Sequence, residues 1–411
     1  VTAAANAPSL ATPRFLALMS AEVISSLGTQ MTWLALPWFV LVITGSVTRM
    51  GIVLAAEVVP MAVLGIPSGM VVQRLGARRT MLIADLARVP LLAAVPALHA
   101  AGDLSFPALV ALVAVTGMFV PPYFSSQRVI LPEVACEDET LVARANSVLE
   151  AATALTRFAG PALAGVLIAV IGAANVLWID SATYLVSFTL VATMVATRRV
   201  AQPAANERGV LAGVRFLLSD GLIASISFAV VLFGLFFPML YASIPALAFL
   251  RYDRSPQIAG WLYATMGAGG LLGALLTFQL VARVRPLLLA SVGLVLGVLP
   301  LWLLEAPHPA WMVAAILAVS GVFTGLVNAP ALGFLTMRAP EALRGTMMTA
   351  LITANIAATP IAYGITGPII RDLGLNGLYA IAAAGETLGV AVFCAATVRH
   401  LLTERAAAAT T

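Results

Sequence analysis

Long apolar stretches alternate with short polar joints along the whole chain, at about 15–43, 51–72, 80–98, 106–126, 142–171, 174–197, 222–249, 258–282, 287–304, 310–337, 346–370 and 375–398. The stretch 51–72 is typical: its 22 residues carry a single charge, Glu57. At about 1.5 Å per residue such a run makes roughly 33 Å of helix, enough to cross a bilayer. The pattern predicts an all-α integral membrane protein with twelve transmembrane helices.

The polar joints set the orientation. With both termini on the cytoplasmic side, arginine falls in inner segments at 14, 74, 78, 79, 128, 144, 198, 199, 208, 215, 283, 285, 338, 344, 399 and 405, and in outer ones only at 49, 251, 254 and 371. Positive charge gathers on the inner side of membrane proteins, so this asymmetry selects the arrangement. Arg88 and Arg157 remain, inside predicted helices.

The one long polar connector, 198–220, divides the chain into an N-terminal six-helix bundle over 1–197 and a C-terminal one over 221–411. The halves echo each other. Pro122 is followed after nine residues by Pro132 and Glu133, and the same spacing recurs at Pro330, Pro340 and Glu341, an offset of 208. Arg144 similarly answers to Arg344. An even number of crossings per half means that the two copies share one orientation, as parallel repeats do.

Composition supports the membrane reading. The 411 residues are 61% hydrophobic and 10% charged, against about a quarter charged in soluble domains. All 22 basic residues are arginine, which reads as base-composition bias, and the net charge of +4 belongs to the joints, so it does not indicate a nucleic-acid partner. Cys136 and Cys394 lie too far apart in the topology for a disulfide. No basic n-region or cleavage site precedes 15–43, so that run is expected to be a retained helix.

The joint at 67–80 carries a more specific signal. Gly69, Arg74, Gly76, Arg78 and Arg79 match the loop between the second and third helices of the major facilitator superfamily, which the chain therefore resembles; Gln73 stands where that family usually has Asp. The acid joins a charge cluster that locks the two halves on the cytoplasmic side, so its replacement implies a weaker lock. Within the family the chain resembles the macrolide-efflux and enterobactin-exporter type, through Arg144-Ala-Asn-Ser147, Arg157-Phe-Ala-Gly-Pro-Ala-Leu-Ala-Gly165, Ile179-Asp-Ser181, Ala35-Leu-Pro-Trp38 and Thr44-Gly-Ser46. Gly160, Pro161 and Gly165 partly meet the fifth-helix motif of exporters, whose upstream glycines are here Ala152 and Thr156. The resemblance implies two bundles with a binding site near the midplane between them.

Charges at depth are the candidates for function, because each is costly in hydrocarbon unless it faces water or a partner. Glu22 shares a helix face with Ser26, Thr29, Gln30 and Trp33, and is expected to handle substrate or protons. Glu57 is a second candidate. Arg157 needs a counter-ion, and a buried pair with Glu22 or Glu57 is expected. Such a carboxyl, alternating between arginine and water, would couple protonation to transport. Asp85 and Arg88 are assigned with Arg74 to the gating loop. Asp180 and Glu386, on peripheral helices, are expected to serve structural pairing or a partner helix.

The cavity wall is expected from Pro121, Pro122, Tyr123 and Gln127, from Phe233, Phe237, Pro238 and Tyr241, and from the polar line Ser320, Thr324 and Asn328. Aromatics with few fixed polar groups suit a bulky amphipathic ligand better than a sugar. The small-residue face Ala152, Thr156, Gly160 and Ala164 is suited to a pivot between the halves, and Gly269 and Gly273 offer similar spacing. The run 267–273 is glycine-rich but lies inside an apolar helix, so it is not a nucleotide loop. There is no metal-ligand spacing, nucleophile triad or phosphate loop, and no cofactor is expected, which leaves an ion gradient as the energy source. The reading is a monomeric secondary transporter of the inner (plasma) membrane, in contact with lipid, protons and a small-molecule substrate, exporting a drug-like or natural-product compound in exchange for protons. An uptake symporter of the same fold and a non-transporting sensor or lipid-handling protein are the alternatives.

Overall fold

The computed structural model describes residues 12–134, 139–195 and 207–409. Cys136 and the connector's first part, 198–206, lie outside them. The described elements are helical: α1 Pro13–Thr44, α2 Val47–Leu75, α3 Ala77–Ala101, α4 Phe106–Met118, α5 Val120–Val134, α6 Glu139–Ile171, α7 Ala173–Met194, α8 Glu207–Leu217, α9 Gly221–Arg251, α10 Pro256–Leu280, α11 Pro286–Val298 with a 3-10 continuation Leu299–Glu305, α12 Ala310–Gly325, α13 Asn328–Arg338 and α14 Glu341–Ala409. Eleven stretches are long and apolar enough to cross a membrane. The last, Leu343–Glu404, is two crossings joined at Gly374, where φ is 72°. The twelve crossings of the hydropathy pattern are therefore present.

Helix ends follow local chemistry. Ser105, Asp220 and Ser255 cap α4, α9 and α10 by accepting main-chain N–H groups of the first turn, and Pro256 opens α10 where its missing donor costs nothing. The joint at 67–80 is shorter than hydropathy suggests. Helices α2 and α3 run through it and leave only Gly76, at φ 85°, to turn the chain. Helices extend past the apolar slab wherever long side chains can reach water, so hydropathy marks the slab rather than the helix end.

The chain forms two compact units, Val1–Phe39 with Ala56–Ala205, and Val40–Ala55 with Asn206–Thr411. The first has a core that includes Leu18, Met81, Tyr123, Ile130 and Leu149. The second is built around Ile226, Leu335, Met347, Leu351 and Phe393. The hairpin segment 40–55 groups with the second unit: a Cβ at Gly51 would lie 2.6 Å from the Tyr363 carbonyl, and one at Gly367 would lie 2.5 Å from Thr48 Cα. Part of the connector is ordered as α8, whose Gly213 meets the Thr346 main chain of α14.

The repeat seen in the sequence has a structural counterpart. One crossing in each unit is broken at matching register: α4 ends at Met118 and α5 starts at Val120, while α12 ends at Gly325 and α13 starts at Asn328. Prolines follow both breaks. Pro121 and Pro122 supply no N–H to Gly117 and Met118, and Pro330 supplies none to Leu326. Helical bonding resumes with Tyr123 N–H to Phe119 at 3.3 Å and Ala331 N–H to Val327 at 3.0 Å, again 208 residues apart.

Close helix packing uses glycine. In the second unit Gly269 and Gly273 of α10 meet the carbonyls of Ala318 and Val322 on α12, and Gly321 and Gly325 return the contact to Met266 and Gly270. The glycine-rich run is thus a helix-packing face.

Candidate functional site

A buried polar network occupies the first unit. Glu22 of α1 is 4% exposed. The break before α5 directs two successive turns of that helix at it: the Tyr123 hydroxyl donates to Glu22 Oε1 at 3.1 Å, and the Gln127 side-chain amide donates to Oε2. Both carboxylate oxygens are thereby bound by neutral donors.

Arg88 lies beneath this group. Its guanidinium is 4.5 Å from the centre of the Tyr123 ring and 4.2 Å from that of Tyr184. It bonds Asp85 Oδ1 at 2.6 Å and the Ala84 carbonyl at 3.1 Å. Asp85 is fully buried and takes a second bond from Ser187 of α7 at 2.7 Å. A buried cation between two aromatic faces and a paired carboxylate has its charge met from three sides. The network continues along α1: Tyr184 and Thr29 hydroxyls lie 3.0 Å apart, and Asp180 accepts from Thr32 at 2.5 Å and from Thr183 at 3.0 Å.

This arrangement corrects the assignment of Asp85 and Arg88 to the gating loop. They lie inside the bundle with Tyr123, whereas Arg74 is exposed at the end of α2. Spacing from the arginine-rich joint misled, because α3 carries them two turns and more into the unit. Within the joint, Arg78 donates to the Ala192 carbonyl at 2.6 Å and to the Val191 carbonyl at 3.4 Å, meeting the last turn of α7. Cations are favoured there. Gln73 and Arg79 are exposed, and Gly69 packs closely against nothing.

Arg157 differs from expectation most sharply. It is exposed, and forms no ion pair among the described residues with Glu22, Glu57 or any other acid. Its helix turns a different face to α1. There Thr156 bonds Ser26 at 2.7 Å, and Gly160, one turn on, admits the Gln30 side chain so closely that a Cβ would overlap it. Pro161, Ala164 and Gly165 are buried nearby. The small-residue face is therefore used inside the first unit, where a pivot between halves had been expected.

Glu57 is partly buried with Oε2 enclosed and unbonded. It lies within electrostatic range of Asp180, and its main-chain carbonyl packs on Gly117. Trp33 is partly buried on α1. In the second unit Phe237 is partly buried, and the Tyr241 and Tyr263 rings lie 4.5 Å apart with the Tyr263 hydroxyl on the Tyr241 carbonyl at 2.8 Å. The polar line of three does not hold. Ser320 turns into the unit and bonds the Gly297 carbonyl at 2.7 Å, Thr324 bonds its own helix, and Asn328 is exposed beyond the break. An i, i+4, i+8 line needs one continuous helix, and the crossing is interrupted at 326–327.

Sequence reasoning did not identify Tyr184, Ser187 and Thr32 as partners of buried charge. The Asp85-to-Arg88 spacing of three on an apolar helix was an available signal for an intrahelical pair. Nothing along the chain pointed to Tyr184.

Comparison with known proteins adds the family. Over 384 residues the chain is 29% identical to the multidrug efflux pump Tap of Mycolicibacterium fortuitum, covering 89% of this chain and 91% of that protein. Over 217 residues it is 30% identical to the enterobactin exporter EntS of Citrobacter koseri, half of each chain. The fold is shared with a crystal structure of the nucleoside transporter NupG, at a TM-score of 0.73 and 14% identity over 93% of this chain and 98% of that one. Residues 18–363 match the model of the Major Facilitator Superfamily. With twelve crossings in place and most of its length matched, the chain is a multi-pass membrane transporter and belongs to the Major Facilitator Superfamily.

Proposed function

We propose that this transporter exports drug-like or natural-product small molecules in exchange for protons, by alternating access, as a monomer in the lipid bilayer of the inner (plasma) membrane with both termini cytoplasmic. The observation that carries the reading is Glu22, a buried carboxyl on α1 held by the neutral donors Tyr123 and Gln127. None of its bonds supplies a compensating charge, so the group can gain or lose a proton by rearranging two side chains. Arg88 is close enough to respond, because the same tyrosine ring lies between its guanidinium and Glu22. Export, and the class of cargo, are supported by the relatives named for multidrug and enterobactin efflux.

The test is ethidium transport into inverted membrane vesicles driven by an imposed pH gradient. The wild-type protein should accumulate ethidium and the gradient should decay as it does so. Glu22→Gln, which keeps the shape but replaces one of the two acceptor oxygens by an amide N–H donor that cannot titrate, should abolish gradient-driven uptake while leaving ethidium binding. Undiminished gradient-driven uptake by Glu22→Gln would remove Glu22 from the mechanism. Uptake in the opposite direction would refute export.

A further inference from the structure

The second unit holds a carboxyl that the Glu22 network does not touch. Glu386 lies in the last crossing, eleven residues beyond Leu375, which is roughly 16 Å of helix and close to the middle of a hydrocarbon slab about 30 Å thick. It is 7% exposed, and its Oε1 is enclosed without a hydrogen-bond partner. The pairing expected of it from sequence is absent: among the described residues it forms no ion pair.

The wall beside it is largely aromatic and small. From α9, the Phe233 and Phe236 rings seat on Gly389 and Gly385, the glycines flanking Glu386 on its own helix. Ala382, Ala383, Val390 and Phe393 of α14 are buried around it. The 3-10 segment brings Trp302, whose indole N–H is taken by Thr387 at 3.0 Å, while Thr387 itself donates to the Ala383 carbonyl.

Charged and titratable groups on the packed elements are committed elsewhere. Arg251 of α9 is bound to Asn376 at 2.6 Å, Tyr379 accepts from the Ser243 hydroxyl, and Arg215 of α8 is exposed. Glu305 ends the 3-10 segment three residues past Trp302, Cys394 is two turns along α14, and α11 has no titratable side chain.

We propose that Glu386 is a second proton-binding site, in the second unit and separate from the Glu22 network. Buried polar atoms are almost always satisfied, so one that is not needs an explanation. A proton is the partner that fits, since it needs no added volume in a wall of phenylalanine and glycine. On release the O–H bond breaks, its electron pair stays on the carboxylate, and the proton passes to water that reaches the group when the wall parts. The proposal concerns proton binding and stands apart from proton-coupled export, to which the site would add a second exchangeable proton.

Infrared difference spectroscopy of the purified full chain in liposomes, acid minus alkaline, reads carboxyl protonation directly. The wild-type spectrum should contain a carboxylic-acid band that is absent from Glu386→Gln and returns, displaced, in Glu386→Asp, with Glu22→Gln removing a different component. A Glu386→Gln spectrum superimposable on wild type overturns the proposal. The measurement needs no substrate: a wild-type protein that shows the Glu386 band yet fails to move ethidium in exchange for protons refutes the proposed function while upholding the site.

Discussion

Arg88 and Tyr123 come from different crossings, and the guanidinium lies 4.5 Å from the centre of the ring. Through that contact the Asp85–Arg88 pair and the Glu22 carboxyl share one side chain. Removing Arg88 leaves Asp85 buried with Ser187 as its remaining side-chain donor. Arg88→Ala should therefore cost about 3–5 kcal/mol, the usual penalty for an orphaned buried charge. The double change Asp85→Asn with Arg88→Gln should recover most of it. Denaturation of the purified protein in detergent measures both, and a loss below about 1 kcal/mol would mean that the pair is solvated.

Tyr123→Phe separates the two functions of that residue. The ring under Arg88 is kept, and only the bond to Glu22 is deleted. Stability should fall by about 1 kcal/mol. Gradient-driven ethidium transport should slow by about three- to tenfold, the kinetic equivalent of a similar energy. Equal rates for the variant and wild type would show that the hydroxyl does not tune Glu22.

The two neighbouring arginines of the α2–α3 joint should behave differently. Arg78→Ala loses its bonds to the last carbonyls of α7 and should cost about 1 kcal/mol. Arg79→Ala, exposed, should stay within about 0.5 kcal/mol of wild type. Thermal unfolding of the two variants side by side decides whether the joint is a helix cap or merely a charged loop.

Gly160→Val forces a side chain into Gln30 and should destabilise by about 1–3 kcal/mol. Gln30→Gly in the same chain should relieve part of the cost, because the nearest overlap is with Gln30 Cβ, which glycine lacks and alanine would keep. Lack of any coupling between the two changes in a double-mutant cycle would argue that α1 and α6 do not meet there.

Arg157→Gln should leave stability within about 0.5 kcal/mol of wild type, as expected for an exposed side chain with no paired acid. A loss of several kcal/mol would reinstate the buried ion pair that the sequence suggested.

The fold was legible because membrane burial imposes a one-dimensional signal: a run of apolar residues long enough to span, ended by arginine. The echo of Pro122 in Pro330 was visible for the same reason, since proline acts on its own helix. Glu22, Tyr123 and Gln127 could each be singled out as polar groups in apolar runs, and the structure brings those three together. Which charge meets which is a different kind of information. Arg157 and Arg88 look alike in sequence, each a lone cation in an apolar stretch, but one helix rotates its arginine outward and the other inward. A rotation of about 100° per residue separates those outcomes. The hydropathy of a helix that is apolar on all sides does not encode it.

The paired interruptions at 119 and 326–327 have a mechanical consequence. Bending a regular helix stretches main-chain hydrogen bonds on its convex side. At these two points the bonds that would be stretched were never formed, because Pro121, Pro122 and Pro330 have nothing to donate. Each unit therefore carries a compliant point at the same register of its repeat, and in the first unit Tyr123 and Gln127, the residues that hold Glu22, ride on the segment that a small flexure there would swing.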